Sequence, residues 1–237
     1  MCDGQEISRP PKLVVLTGAG ISAESGLRTF RDGDGYWREY KFTELATPQA
    51  WKTNREAVLE FYNERRRGVV VAEPNAAHKA LVELESAYEV VIITQNVDDL
   101  HERAGSSQVI HLHGEIMKSR STVDPRLVYD TQGNDIHLGD YCERGSQLRP
   151  HIVWFGEPVP AMDLAVKHVS EADVFVVVGT SLSVYPAASL VDDAPPHAHR
   201  FLVTLETEMT DIPFVWLKTT ACEGVSRLKD LLLKARR

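Results

Sequence analysis

At 237 residues, with 43% hydrophobic and 25% charged side chains, the chain has the makeup of a globular protein with one large domain, or one domain carrying a smaller insertion. Acidic residues outnumber basic ones 34 to 26, for a net charge of -8 and a pI near 5.6, which argues against non-specific nucleic-acid binding because phosphate contacts need a clustered basic surface. Residues 1–11 lack the apolar run of a signal peptide and no stretch reaches the length of a membrane span, so a cytoplasmic protein without nucleic-acid or membrane partners is expected. Cys2, Cys142 and Cys222 are widely separated and form neither a disulfide framework nor a CxxC metal pair.

The first element is an apolar strand, Lys12–Thr17, running straight into Gly18-Ala19-Gly20-Ile21-Ser22-Ala23. Strand, glycine turn and helix in that order suit a pyrophosphate. Gly18 permits the tight turn, Gly20 lets the backbone approach a phosphate, small Ala23 lets the helix pack on the strand, and exposed helix N–H groups face the anion. The dehydrogenase form of this unit also needs a second parallel strand ending about 20 positions on in an acidic residue for the ribose hydroxyls. Here that window is residues 34–40, Asp-Gly-Tyr-Trp-Arg-Glu-Tyr, which is no buried strand. Arg28, Arg31 and Asp32 around Phe30 are also foreign to a hydride-transfer site. A dinucleotide used in another way fits best, with a chance turn in a nucleotide-free α/β protein as the alternative.

Residues 42–70 carry helical periodicity: Leu45-Ala46-Thr47-Pro48 ends one piece and 57–65 form an amphipathic helix, together a helical insert. Residues 75–85, with His78, Leu81 and Leu84 at helical spacing, lead into 88–94, whose β-branched run fits a buried parallel strand. Residues 119–149 are polar, rich in Asp and Gly and without a clear period, and read as a surface module or long loop. Val174–Val178 is a further buried strand, ending in Gly179-Thr180-Ser181, and 201–205 and 214–217 are two more. This alternation defines an α/β protein. In open parallel sheets ligands bind at the carboxyl ends of strands, so Thr17-Gly18, Thr94-Gln95-Asn96, Gly179-Thr180-Ser181 and Thr204-Leu205-Glu206 should line one crevice.

Four further motifs follow Gly18-Ala19-Gly20-Ile21-Ser22 in order: Thr94-Gln95-Asn96-Val97-Asp98-Asp99-Leu100-His101, Val109-Ile110-His111-Leu112-His113-Gly114, Leu148-Arg149-Pro150-His151-Ile152-Val153-Trp154-Phe155-Gly156-Glu157 and Gly179-Thr180-Ser181. Together they resemble the sirtuins, NAD-dependent protein lysine deacylases, over roughly residues 12–217. The resemblance implies a Rossmann-like parallel sheet with helices on both faces (residues 1–33, 76–114 and 149–237) plus a smaller domain built from insertions 34–75 and 115–148.

It also implies NAD as cofactor and assigns roles. His113 is the general base that withdraws a proton through the ribose hydroxyls, a task suited to a group titrating near neutrality. Asn96 and Asp98 order the ribose and the nicotinamide amide, with Gln95 beside the ribose. Gly18, Ala19, Gly20, Ser22, Ala23 and Glu24 form the glycine turn, and Thr29, Phe30, Arg31 and Trp37 belong to the stretch folded over bound NAD. Gly179, Thr180 and Ser181 contact phosphate and ribose, while Thr204, Leu205, Glu206 and Ala221 lie at the adenosine end, where Thr204 replaces the asparagine common in relatives. The plainer alternative for Asn96 and Asp98 is strand-end capping, and for His101, His111 and His151 a surface or satisfied core position.

The implied chemistry needs no cysteine or serine nucleophile. The acyl-lysine amide oxygen attacks the anomeric ribose carbon as nicotinamide leaves, and His113 enables a neighbouring hydroxyl to take over the acyl group. Water then frees lysine and an O-acyl-ADP-ribose. Val153, Phe155, Gly156 and Glu157 on one side and Val184 on the other resemble the edges between which an extended acyl-lysine protein segment inserts as an extra strand.

Tyr62 and Arg65 are three apart on the expected helix and share a face. In the sirtuin branch that removes succinyl and malonyl groups, a tyrosine and arginine at this spacing read the acyl carboxylate, with a small alanine upstream, here Ala46. A guanidinium holds a carboxylate through two parallel bonds, and the phenol adds a third. The alternative is a solvated basic face, Arg65-Arg66-Arg67. Most sirtuins also carry two cysteine pairs for a structural zinc between the His-Gly and Trp-Phe-Gly-Glu motifs. Only Cys142 occurs there, with His137, short of the four ligands of a closed zinc site, so no structural zinc is expected. A protein ADP-ribosyltransferase and a non-catalytic NAD or ADP-ribose binding module are the rival functions.

Overall fold

The computed structural model describes residues 9–29, 41–208 and 213–236. Strands β1 (Lys12–Thr17), β2 (Glu89–Thr94), β3 (Val109–His111), β7 (Val174–Val178), β8 (His199–Val203) and β9 (Val215–Leu217) form one sheet in the order β3-β2-β1-β7-β8-β9. Every neighbouring pair is parallel. Strands β1 and β7, rich in Val and Leu, are buried along their whole length, as strands covered on both faces must be.

Alternation divides each strand between two cores. Leu13 and Val15 face a cluster with Leu81 and Leu84 of the helix Ala76–Leu84 and Val225 and Leu228 of the helix Ala221–Lys234. Val14 and Leu16 face the opposite cluster, with Val169 of the helix Met162–Ser170 and Leu190 of the 3-10 helix Ala187–Asp193. Each such fully buried aliphatic side chain contributes about 1.5–3 kcal/mol by leaving water.

The strand order reverses beside β1, which pairs with β2 on one side and β7 on the other; Thr17 stands level with both Thr94 and Val178. The strand ends therefore stop at one height, and a crevice opens at the point where ligands of such sheets bind.

Of the surface module or long loop expected at 119–149, the structure shows the module. Strands β4 (Gly114–Ser121), β5 (Val128–Asp130) and β6 (Leu148–Ile152) form an antiparallel sheet in the order β5-β4-β6. With the helix Arg55–Val71 they enclose a third core of Leu59, Phe61, Val69, Ile116, Ile136 and Trp154. Few apolar residues suffice because polar side chains bind main chain. The Asn63 amide donates to Ile136 O at 2.9 Å and accepts its N–H at 3.0 Å, and buried Arg66 donates from Nε to Ile116 O at 2.8 Å.

Other differences are smaller. The strand read at 201–205 ends at Val203, so Thr204 to Glu206 stand just beyond it at the crevice, and the helix read at 57–65 runs Arg55–Val71 with Asn54 as its N-cap. Among the described residues no helix is long and apolar enough to cross a membrane.

Candidate active site

A cavity of about 930 Å³ opens at the carboxyl ends of β1, β2 and β7, within the range of small-molecule and cofactor sites. Its glycine turn is set by chain-to-chain contact. Gly18 N–H donates to Val178 O at 3.0 Å and Gly20 N–H to Gly179 O at 2.8 Å. A Cβ at Gly20 would stand 2.8 Å from Gly179 Cα, and Gly179 itself has φ +63°. Gly20 is thus glycine because the chain crosses Gly179 there, a reason distinct from the phosphate approach read from sequence. The helix that follows is one turn, Gly20–Ala23.

The cavity collects nearly all the residues singled out from sequence. Ala19, Ala23, Thr29, Gln95, Asn96, Asp98, His113, Thr180, Ser181, Thr204, Leu205, Glu206 and Ala221 border it, as do Ala46, Tyr62, Arg65, Val153, Phe155, Gly156, Glu157 and Val184. Phe30, Arg31 and Trp37 lie outside the described residues. Trp154 and Tyr185, within the stretches 153–157 and 183–185 expected to edge the peptide, border it too, and the sequence reading missed Thr219 and Thr220.

At its base, the Asn96 amide donates to Ser22 Oγ at 3.1 Å, and Ser22 Oγ donates to the Asp98 carboxylate at 3.1 Å. Asp98 is buried; burial raises its pKa, against the Leu100 N–H and Ser22 bonds. His113 Nδ1 lies 3.0 Å from Gln95 O, and since a carbonyl only accepts, that nitrogen carries the hydrogen. Nε2 is left as the basic nitrogen. Burial lowers the His113 pKa, which the Gln95 bond opposes, so the neutral form prevails at pH 7.

On the other wall, Tyr62 is buried and its phenol is pushed up to about 12, chiefly by burial, so it stays a neutral donor. The three arginines of the basic run diverge. Arg67 pairs with Glu60 and Asp135, Arg66 is fully buried, and half-buried Arg65 borders the cavity with its guanidinium carbon 5.5 Å from the Tyr62 ring centre.

Two expected contacts are spent within the fold. The Glu157 carboxylate takes Arg149 at 2.7 and 2.9 Å, Arg120 at 3.3 Å and the Trp154 N–H at 2.9 Å. The N–H groups of Val153, Phe155 and Glu157 donate to His113, Ala46 and Trp154 carbonyls. Of this edge, Gly156, with φ +87°, keeps a main-chain N–H with no partner among the described residues. The Glu24 carboxylate likewise turns to the Cys222 N–H and the Thr220 hydroxyl.

The residues at the zinc-module turns do not fit a zinc ion. Cys142 Sγ lies 3.3 and 3.2 Å from the Ser121 and Ser146 hydroxyls, and the Asp124 carboxylate is already held by Arg126 and Arg144. One sulfur, two hydroxyls and a neutralised carboxylate are not a closed zinc set, and among the described residues no group of three His, Cys, Asp or Glu is placed to hold a metal. The main cavity does fit a dinucleotide, by volume, by its buried polar base and by its place in the sheet.

Sheet order, glycine crossing and polar base define a Rossmann-like dinucleotide-binding enzyme with a second, antiparallel module beside the cleft. The Sir2 family model matches residues 18–186, and the chain belongs to the Sir2 family. A Helicobacter pylori protein named NAD-dependent protein deacylase is 57% identical over 188 residues, 79% of this chain and 80% of its own length. Among solved structures, a Sir2 homologue in complex with NAD superposes with a TM-score of 0.86 at 42% identity, covering 95% of this chain and 91% of that one. A Sir2 complex with p53 peptide and NAD+ gives 0.76 at 31% identity, covering 94% of each.

Proposed function

We propose that this Sir2-family enzyme, an NAD-dependent protein deacylase, acts on lysines carrying short dicarboxylic acyl groups, succinyl and malonyl first and acetyl more weakly. One observation carries the reading: Tyr62, Arg65 and Ala46 border the same cavity as His113, so an acyl group that reaches the reaction centre passes an arginine and a neutral phenol. An acyl carboxylate is an acceptor to which a guanidinium and a phenol can both donate, and Ala46 leaves room for the longer chain.

Bound NAD supplies an activated ribose carbon and nicotinamide as its leaving group. The chain's own share is to place and protect. Asn96, Ser22 and Asp98 form a bonded set that orders the ribose end, and His113 Nε2 takes and returns a proton there. The Gly156 N–H and the Val184 edge meet an extended peptide, and a relative has been solved with a p53 peptide. Cys142 and Cys222, free thiols in the fold, suit the reducing cytoplasm.

Incubation with NAD and acyl-lysine peptide should release nicotinamide mole for mole with deacylated peptide. Nicotinamide released with the acyl group still on lysine would instead support ADP-ribosyl transfer, and binding without turnover a non-catalytic module.

A further inference from the structure

Two histidines on one extended segment, His111 and His113, each grip one of two consecutive main-chain carbonyls at the end of β2. His113 Nδ1 lies 3.0 Å from Gln95 O, and His111 Nδ1 lies 3.1 Å from Asn96 O. Their second nitrogens differ. His113 Nε2 has no hydrogen bond among the described residues, whereas His111 Nε2 lies 2.7 Å from the Glu102 carboxylate on the short helix Leu100–Ala104. A carbonyl and a carboxylate are both acceptors, and a neutral imidazole has a single N–H. Both bonds can be made at once only if both nitrogens carry hydrogen, which makes His111 an imidazolium.

We propose that Glu102 and His111 are a positioning pair for the reaction centre: Glu102 fixes the His111 ring as a cation, the ring holds the Asn96 carbonyl, and its charge faces the buried Asp98 carboxylate. From Asn96 the bonds continue through Ser22 to Asp98, so one connected set runs from a partly exposed carboxylate to the base of the cavity. The inference rests on assigning Asn96, Asp98 and His113 to the reaction.

The charged groups around the ring agree. Burial alone would lower the His111 pKa, but the Glu102 bond and charge, the Asn96 carbonyl and Glu115 on β4 together raise it. Glu102 is held below the usual carboxylate range: burial opposes this, and His111, with Lys118, outweighs it. The reverse assignment, a protonated Glu102 donating to a neutral ring, is therefore disfavoured. The cation lowers the pKa of Asp98 against burial and helps keep the neighbouring His101 neutral. A neutral His111 would have to release either Glu102 or Asn96.

Glu102→Gln keeps the shape and an acceptor but removes the charge. Burial then lowers the His111 pKa, and above it a neutral ring, whose Nε2 can still accept from the glutamine amide, no longer sets a charge against Asp98. We expect kcat to fall roughly tenfold at about pH 8.5 and to recover toward wild type as pH falls below about 6, with KM for NAD and peptide little changed. Glu102→Asp should retain most turnover, and His111→Gln should lose it at both pH values. The assay uses NAD and whichever of matched acetyl- and succinyl-lysine peptides wild type turns over faster. A Glu102→Gln enzyme that tracks wild type across the pH range, or is reduced by one constant factor, overturns the pair. His113→Ala, run alongside, separates the two readings: turnover surviving that change overturns the reaction-centre assignment itself.

Discussion

The Glu24 carboxylate of the glycine turn accepts the Cys222 main-chain N–H at 2.8 Å and the Thr220 hydroxyl at 3.2 Å, joining the two ends of the chain at the start of the helix Ala221–Lys234. A carboxylate at a helix N-terminus is worth about 1 kcal/mol at an exposed site. Thr219, Thr220 and Ala221 border the cavity, so this contact fixes the wall assigned to adenosine. Glu24→Ala should raise KM for NAD about fivefold, the equivalent of that energy, with kcat within about twofold of wild type. A fall in kcat at unchanged KM would place Glu24 in the chemistry instead.

Arg65 and Tyr62 share the acyl wall. Where a bound acyl carboxylate takes half-buried Arg65 out of solvent, removing one partner of that charge pair costs about 2–5 kcal/mol. Arg65→Met should abolish succinyl-lysine turnover while weak acetyl-lysine turnover survives. Equal loss of both, measured on peptides of one sequence, would refute the acyl-carboxylate role.

Acid should weaken the fold through the buried histidines. Burial holds the fully buried His78 down at about 4, and burial pushes His101 well below its ordinary value, with the charges of His78 and His111 adding to the effect. An unfolded imidazole titrates near 6.5, so stability is complete above that pH and is lost as pH falls toward about 4, by about 3 kcal/mol for His78. His78 also completes a capping box with Asn75, a role glutamine can fill. His78→Gln should flatten the decline of melting temperature between about pH 6.5 and about pH 4.5. An unchanged slope would assign the acid sensitivity elsewhere.

The small sheet should not depend on metal. Asp124 is drawn down to about 2 by Arg126, and it binds Arg144 as well. Excess chelator should leave the melting temperature unchanged, while Asp124→Asn lowers it. A drop on chelation would show that a metal orders this module after all.

Much of this was legible in the residues. Undivided apolar runs such as Val174–Val178 announce buried parallel strands, and motif order placed His113, Asn96 and Asp98 at one crevice. What orders the module at 119–149 was not legible, because long-range polar bonds, Asn63 to Ile136 and, on the strand leading into it, Arg66 to Ile116, leave no local pattern. The C-terminal helix did carry a signal: Ala221, Val225, Leu228 and Leu232 recur at helical spacing and are buried together. The division of labour between His111 and His113 needed coordinates, since the two side chains differ only in what meets Nε2.

The account turns on an acidic acyl group meeting Arg65 and Tyr62 within reach of His113. Its most direct test is kcat/KM for succinyl-lysine and acetyl-lysine peptides of identical sequence, with saturating NAD. The predicted result is a succinyl preference of at least about tenfold, the discrimination expected when a buried polar pair is left unmatched by the competitor. Acetyl-lysine turned over as fast as succinyl-lysine, or faster, would contradict it.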